Sequence, residues 1–95
     1  MNLIKPKIGR FSISIDDIQD NSDMVKEVFK GLIVVRAEML YHSQAIEYTA
    51  LGDCFDTVPE GEIPPYYLPL ISKTAVGQEG YVVPVVTFNG WKRIL

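Results

Sequence analysis

The chain has 95 residues, 47% of them hydrophobic and 22% charged, with a formal net charge of −3 and one cysteine, Cys54. That composition excludes intrinsic disorder, collagen-like repeats and an intrachain disulfide framework, and it fits a reducing, cytoplasmic compartment. One compact domain of 10.7 kDa exposes about 5,500 Å² of the roughly 15,500 Å² of its unfolded chain, enough burial for a single core.

Residues 1–95 read as one domain, with residues 1–10 as a flexible or loosely attached leading segment. Lys5, Lys7 and Arg10 lie in that segment with no apolar stretch behind them, unlike a signal peptide. Phe11 to Ile15 alternates apolar and polar residues, the pattern of a half-buried strand ended by Asp16 and Asp17. Asp20 to Asp23 is dense in helix N-cap types. Behind it Met24, Val25, Val28, Phe29 and Leu32 share one helical face, with Lys26, Glu27 and Lys30 opposite. One helix over about residues 21–31, ended by Gly31, is the only helix expected.

From Leu32 the period changes to two. Ile33, Val35, Ala37, Met39 and Tyr41 fall on one side of a strand that runs into a turn at Tyr41–Gln44. Ala45 to Leu51 returns, with Ile46, Tyr48 and Ala50 inward and Glu47 and Thr49 outward. Val58–Gly61 carries type I turn chemistry with Pro59 second. Tyr66 to Ser72 reads as a strand, and Pro69 inside it marks an edge or a bulge. Gly77–Gly80 reads as a loop and Tyr81–Phe88 as a strand containing Pro84. Asn89-Gly90 then gives the strongest hairpin signal, pairing Phe88 with Trp91 and Val86 with Arg93. The fold class is therefore α+β: a curved, mostly antiparallel sheet or a partly open small barrel of five to seven strands, with one helix against it. The longest uninterrupted apolar stretch, Leu32 to Val35, is far shorter than the about 20 residues of a membrane helix, so no membrane role is expected.

Charge is unevenly laid out. Residues 37–72 hold Glu38, Glu47, Asp53, Asp56, Glu60 and Glu62 and no Lys or Arg, whereas residues 1–36 sum to +1 and residues 73–95 to +2. A stretch without cations cannot neutralise phosphates, so direct nucleic-acid binding is not expected. A solvated acidic face explains the layout, and so does a surface that meets a basic protein partner.

Sites of chemistry are thin. Cys54 and His42 are single copies, and Asp53 and Asp56 around the thiol oppose its ionisation, which argues against a Cys–His nucleophile. One Cys and one His do not make a zinc site, even with Asp53 and Asp56. Asp16, Asp17, Asp20 and Asp23 lack the spacing of a calcium loop and fit a strand end and helix cap. Glu38, Glu47, Asp53 and Asp56 could serve as acid–base carboxylates only in a dry pocket that sequence does not reveal. Pro64-Pro65-Tyr66-Tyr67 contains the P-P-x-Y core of ligands for polyproline readers, and equally a stiffened strand entry with packed tyrosines. The ten aromatics are not interleaved with Lys or Arg as in an oligonucleotide-binding barrel. No phosphate-cradling glycine loop or zinc-protease motif is present, and no metal or other cofactor is implied.

These observations lead to three functional expectations. The first is a non-catalytic protein-interaction or assembly module, of the size and general build of phage or mobile-element accessory proteins. It would self-associate as a homodimer or bind a protein partner, with Glu47, Asp53, Asp56, Glu60, Glu62, Tyr66 and Tyr67 as contact candidates. The second is a ligand-binding or enzymatic cup lined by Tyr48, Asp53, Asp56 and Tyr66. The third is an acidic inhibitor that mimics nucleic acid with Glu47, Asp53, Asp56, Glu60 and Glu62.

Overall fold

The computed structural model describes residues 6–94, with backbone only for Val76, Gln78, Tyr81 and Val83. The chain order is β1 (Ile8–Ser14), α1 (Ile15–Asp20), α2 (Ser22–Phe29), β2 (Ile33–Leu40), β3 (Ala45–Leu51), β4 (Tyr67–Gln78) and β5 (Tyr81–Arg93). It is a small α+β fold with two antiparallel sheets. One sheet has the order β1-β3-β2 and the other is the β4–β5 pair, so the strands form neither a single curved sheet nor a partly open barrel. Residues 1–5 of the segment expected to be loose lie outside the described residues. Ile8, Gly9 and Arg10 of that segment belong to β1 and pair with Leu51, Ala50 and Thr49.

The strand expected to stop at Asp16 stops at Ser14, because a second helix begins there. Ser14 caps α1, its Oγ accepting the Asp17 amide at 3.1 Å, and Asp16 and Asp17 occupy the first turn where the helix dipole favours acids. Asn21 then donates from Nδ2 to Asp17 Oδ1 at 2.8 Å and turns the chain into α2. The apolar face of α2 reads as its periodicity requires: Met24 and Val28 are buried, and Val25, Phe29 and Leu32 pack beside them.

The core joins both sheets and α2 through Phe11, Ile13, Met24, Val28, Ala50, Phe55 and Tyr67. Phe11 is fully buried at its centre, with ring centroids 4.8 Å from Trp91, 5.5 Å from Tyr48 and 5.6 Å from Phe29. Burying a side chain of this size stabilises the fold by about 1.5–3 kcal/mol, and the edge-on aromatic neighbours add to it.

Asn89-Gly90 is not a hairpin turn. Between the pairs Pro69–Trp91 and Ile71–Phe88, β4 contributes Leu70 alone while β5 contributes Asn89 and Gly90, with Gly90 at φ 104°. This is a β-bulge, and its extra residue resets the alternation so that Phe88 and Trp91 both face the core, their centroids 5.3 Å apart. The hairpin turn lies instead at Glu79-Gly80, with φ of 46° and 83° and Gln78 paired with Tyr81, the two left-handed residues of a type I′ turn. The Pro59 turn runs one residue later than expected, the Glu62 amide donating to the Pro59 carbonyl at 3.2 Å.

Alternation in β2 is likewise interrupted. Val34 pairs with Ala50 and Arg36 with Thr49, so Val35 is an extra residue and does not share a face with Ala37 and Met39. No helix of the described residues is long and apolar enough to cross a membrane.

Candidate functional site

The acidic contact candidates do not form one surface. Glu47 sits on the outer face of the three-stranded sheet, in ion-pair contact with Arg10 at 3.4 Å. Asp56 is paired to Arg93 at 2.6 Å, both side chains largely exposed. Asp53 lines a separate depression of about 490 Å³ with Lys7, Ile33 and Leu51. Glu60 and Glu62 lie exposed on the turn after Pro59. Two of the five acids are thus spent on arginines and Asp53 stands apart from Glu47 and Glu62, which does not make a row of phosphate-like charges.

The two tyrosines differ because neighbours in a strand face opposite ways. Tyr67 is 4% exposed, wedged against Phe55 with ring centroids 4.7 Å apart. Its hydroxyl accepts the Asp56 amide at 2.8 Å. It is a core residue, which corrects its place among the contact candidates. Burial raises its pKa, the Asp56 amide offsets part of that, and the Asp56 carboxylate adds to it. Tyr66 is half-buried, hydrogen-bonded to Ser12 and stacked under the Arg10 guanidinium 5.5 Å from its centroid. The Pro64 and Pro65 carbonyls accept from Arg10 Nε at 2.8 Å and from its amide at 2.9 Å. The P-P-x-Y segment is therefore a strand entry laid along β1, with its final tyrosine buried and out of reach of a polyproline reader.

A groove of about 700 Å³ runs over the outer face of the β1-β3-β2 sheet between Arg10, Arg36, Glu38, Glu47 and Glu62. Glu38 stands directly opposite Glu47 across the β2–β3 pair, a like-charge placement that costs stability unless cations flank it. Arg36 and Arg10 supply those cations, Arg36 Nη2 lying 3.3 Å from Glu38. Four of the five charges in this groove thus answer one another in two pairs, and Glu62 lies outside both. The cup drawn from Tyr48, Asp53, Asp56 and Tyr66 does not assemble: Tyr48 packs on Phe11 and Phe29 on the sheet's inner face, and the other three stand at the places given above.

His42 lies in the turn before β3 and Cys54 in the turn after it, so the length of β3, about 20 Å of extended chain, separates them. Burial raises the Cys54 pKa, Asp53 adds to the rise, and a backbone hydrogen bond offsets part of it, so the thiol is kept protonated. Among the described residues no group of three or more His, Cys, Asp or Glu side chains is placed to hold a metal ion.

The feature that sequence reasoning passed over is apolar. β2 is the free edge of its sheet, whereas the opposite edge is engaged at Lys7, just before β1, by a bridge to Thr57 and at Arg10 of β1 by a bridge to Tyr66. Along β2, Ile33 is 66%, Val34 43%, Val35 53% and Met39 42% exposed. The second such feature is the distal β4–β5 hairpin. Lys73, Thr74, Ala75, Gly77, Val82 and Pro84 are all exposed, and no described side chain between residues 73 and 85 belongs to the core. The hairpin stands off the body as an arm, giving extents of 62 × 28 × 21 Å and a radius of gyration of 15.7 Å. A compact chain of this length has about 12 Å. The total accessible surface is 7039 Å², about 1,500 Å² more than a compact fold of this mass exposes. No protein-family model, no curated protein and no solved structure matches this chain.

Proposed function

We propose that this protein is a small non-catalytic assembly module that acts through protein contact, in a reducing compartment where Cys54 stays a thiol. The surface excess carries this reading. A two-stranded hairpin in water is marginal on its own, yet this chain extends one of apolar composition beyond its core. It also leaves a bare, apolar strand edge on the opposite sheet, the kind of edge that folded proteins otherwise cover or charge. Exposed apolar surface on this scale marks a site of protein association. In this reading the contact residues are Ile33–Met39 and the hairpin arm, with the acids keeping the remaining surface soluble.

Position-resolved photo-cross-linking tests this directly. A photoreactive residue is placed at Val35, at Val82 or, as a control, at Glu60, and irradiated in extract of the cell that makes the chain. Protein adducts are expected at Val35 and Val82 above the Glu60 background. Adducts confined to Glu60, or none above background at either apolar position, overturn the reading.

A further inference from the structure

We infer that the β4–β5 arm of one copy docks by strand addition on the β2 edge of a second copy, so that the partner of each bare surface is the other one. This rests on the assembly reading above and names its partner. Three observations point to a second copy. The first is area. A standard protein interface takes about 800 Å² from each partner, and the surface excess of about 1,500 Å² equals two such contributions, one for an arm given and one for an edge received. The second is charge. The chain carries −3 overall, but residues 73–86 hold only Lys73 and Glu79, and β2 holds only Arg36 and Glu38. Both surfaces are neutral in sum, so two acidic copies meet there without repulsion.

The third observation is backbone geometry. A two-residue turn makes Gln78–Tyr81 a hydrogen-bonded pair, and pairs alternate from there. Ala75–Pro84 is consequently a wide pair whose backbone groups face away from the hairpin. Pro84 thus loses no ladder bond within the arm, and it removes a donor from the outer edge of β5. The outer edge of β4 keeps its donors: the amides and carbonyls of Lys73, Ala75 and Gly77 point outward. This stretch matches in length the regular part of β2, Arg36–Leu40, that follows the Val35 bulge. The arm therefore has one strand able to pair, and the body has one strand edge able to receive it.

The test uses the full chain in a Cys54→Ser background. Light scattering and sedimentation at micromolar concentrations are expected to show a homo-oligomer. Ala75→Cys and Ala37→Cys chains, refolded together, are expected to give a bis-maleimide cross-link that neither chain gives alone. Cross-linking of Ala75→Cys chains with each other would place arm against arm and overturn the inference. Ala75→Pro removes only an outward-facing amide, so the far-UV spectrum should persist while the dissociation constant rises about tenfold, the loss of roughly one backbone hydrogen bond and its neighbours. Unchanged association in a folded Ala75→Pro chain also overturns it. A strict monomer whose Val35 and Val82 photoadducts contain another protein ends the second-copy inference and leaves the assembly reading standing. A monomer without such adducts ends both.

Discussion

Gly9→Ala is the substitution on which the two descriptions of the N-terminal segment diverge in sign. If residues up to 10 were loosely attached, an added methyl group would be neutral. In the fold, Gly9 is in β1 opposite Ala50, and a Cβ there would lie 2.7 Å from Tyr67 Cδ2 and Cε2 and 2.8 Å from Phe55 Cδ1, where ordinary contact begins at 3.4 Å. Neither ring can retreat easily, since Phe55 and Tyr67 are buried and pack on each other. Overpacking of this kind costs about 1–3 kcal/mol, and a domain of this size loses about 4–8 °C of Tm per kcal/mol. The melting temperature followed by circular dichroism should fall by about 4–24 °C. The same substitution in a Tyr67→Leu background should cost less, because the ring it collides with is gone. A Gly9→Ala protein that melts within about 2 °C of the parent would refute the packing of β1 against the Phe55–Tyr67 pair.

Glu79→Asn should stabilise the hairpin by several tenths to about 1 kcal/mol in urea melts, because Glu79 holds φ 46°, a conformation that asparagine tolerates better. No change or a loss would contradict the type I′ turn. Inserting one alanine between Asn89 and Gly90 puts Trp91 out of phase with Phe88 and turns it off the core face, at a cost of up to about 3–5 kcal/mol, the value for truncating a core aromatic. The only tryptophan should then emit further to the red, and an unshifted emission with unchanged stability would speak for a turn at Asn89-Gly90. Burial raises the pKa of Tyr67, and also that of Tyr48. Their contribution is full below the unfolded tyrosine value of about 10 and is lost as pH rises past it toward the folded values. Melts from neutral to strongly alkaline pH should show that loss. Tyr67→Phe should start about 1 kcal/mol lower for want of the Asp56 amide bond and then fall less steeply. Parallel alkaline curves would refute the assignment.

Sequence periodicity located α2 and the β2–β3 hairpin because each is stabilised by one continuous face whose period repeats. α1 is too short to show a period, yet Ser14 followed by Asp17 was a legible cap signature. The bulges at Val35 and Asn89-Gly90 were not legible. A bulge inverts alternation at one residue, and its reason lies in distant partners: Trp91 reaches Phe11 and Phe55 across the fold. Local turn chemistry at Asn89-Gly90 is outweighed by the aromatic burial that one extra residue allows. Tyr66 and Tyr67 posed a problem of parity, since the sequence shows that one faces in but not which; the Gly9 gap that admits Tyr67 decides it. The candidate surface was hidden for a simpler reason. Ile33–Val35 and the valines of β5 read as core by composition, and only the sheet order places β2 at an edge and the arm beyond the body.

This bears on how salt should act. Association through the acids, Glu47, Asp53, Asp56, Glu60 and Glu62, against a basic surface would weaken steeply with ionic strength, as exposed charges farther apart than a Debye length are screened. The arm and β2 carry one cation and one anion each, so net Coulomb attraction contributes little to their meeting. Burial of Ile33, Val34, Val35 and Val82 contributes most, at about 25 cal/mol per Å² of apolar surface. Association should therefore be nearly flat across sodium chloride, strengthen in sulfate, and show a negative heat-capacity change. A dissociation constant that climbs steadily with sodium chloride would return the contact to the acidic face and remove it from the strand edge.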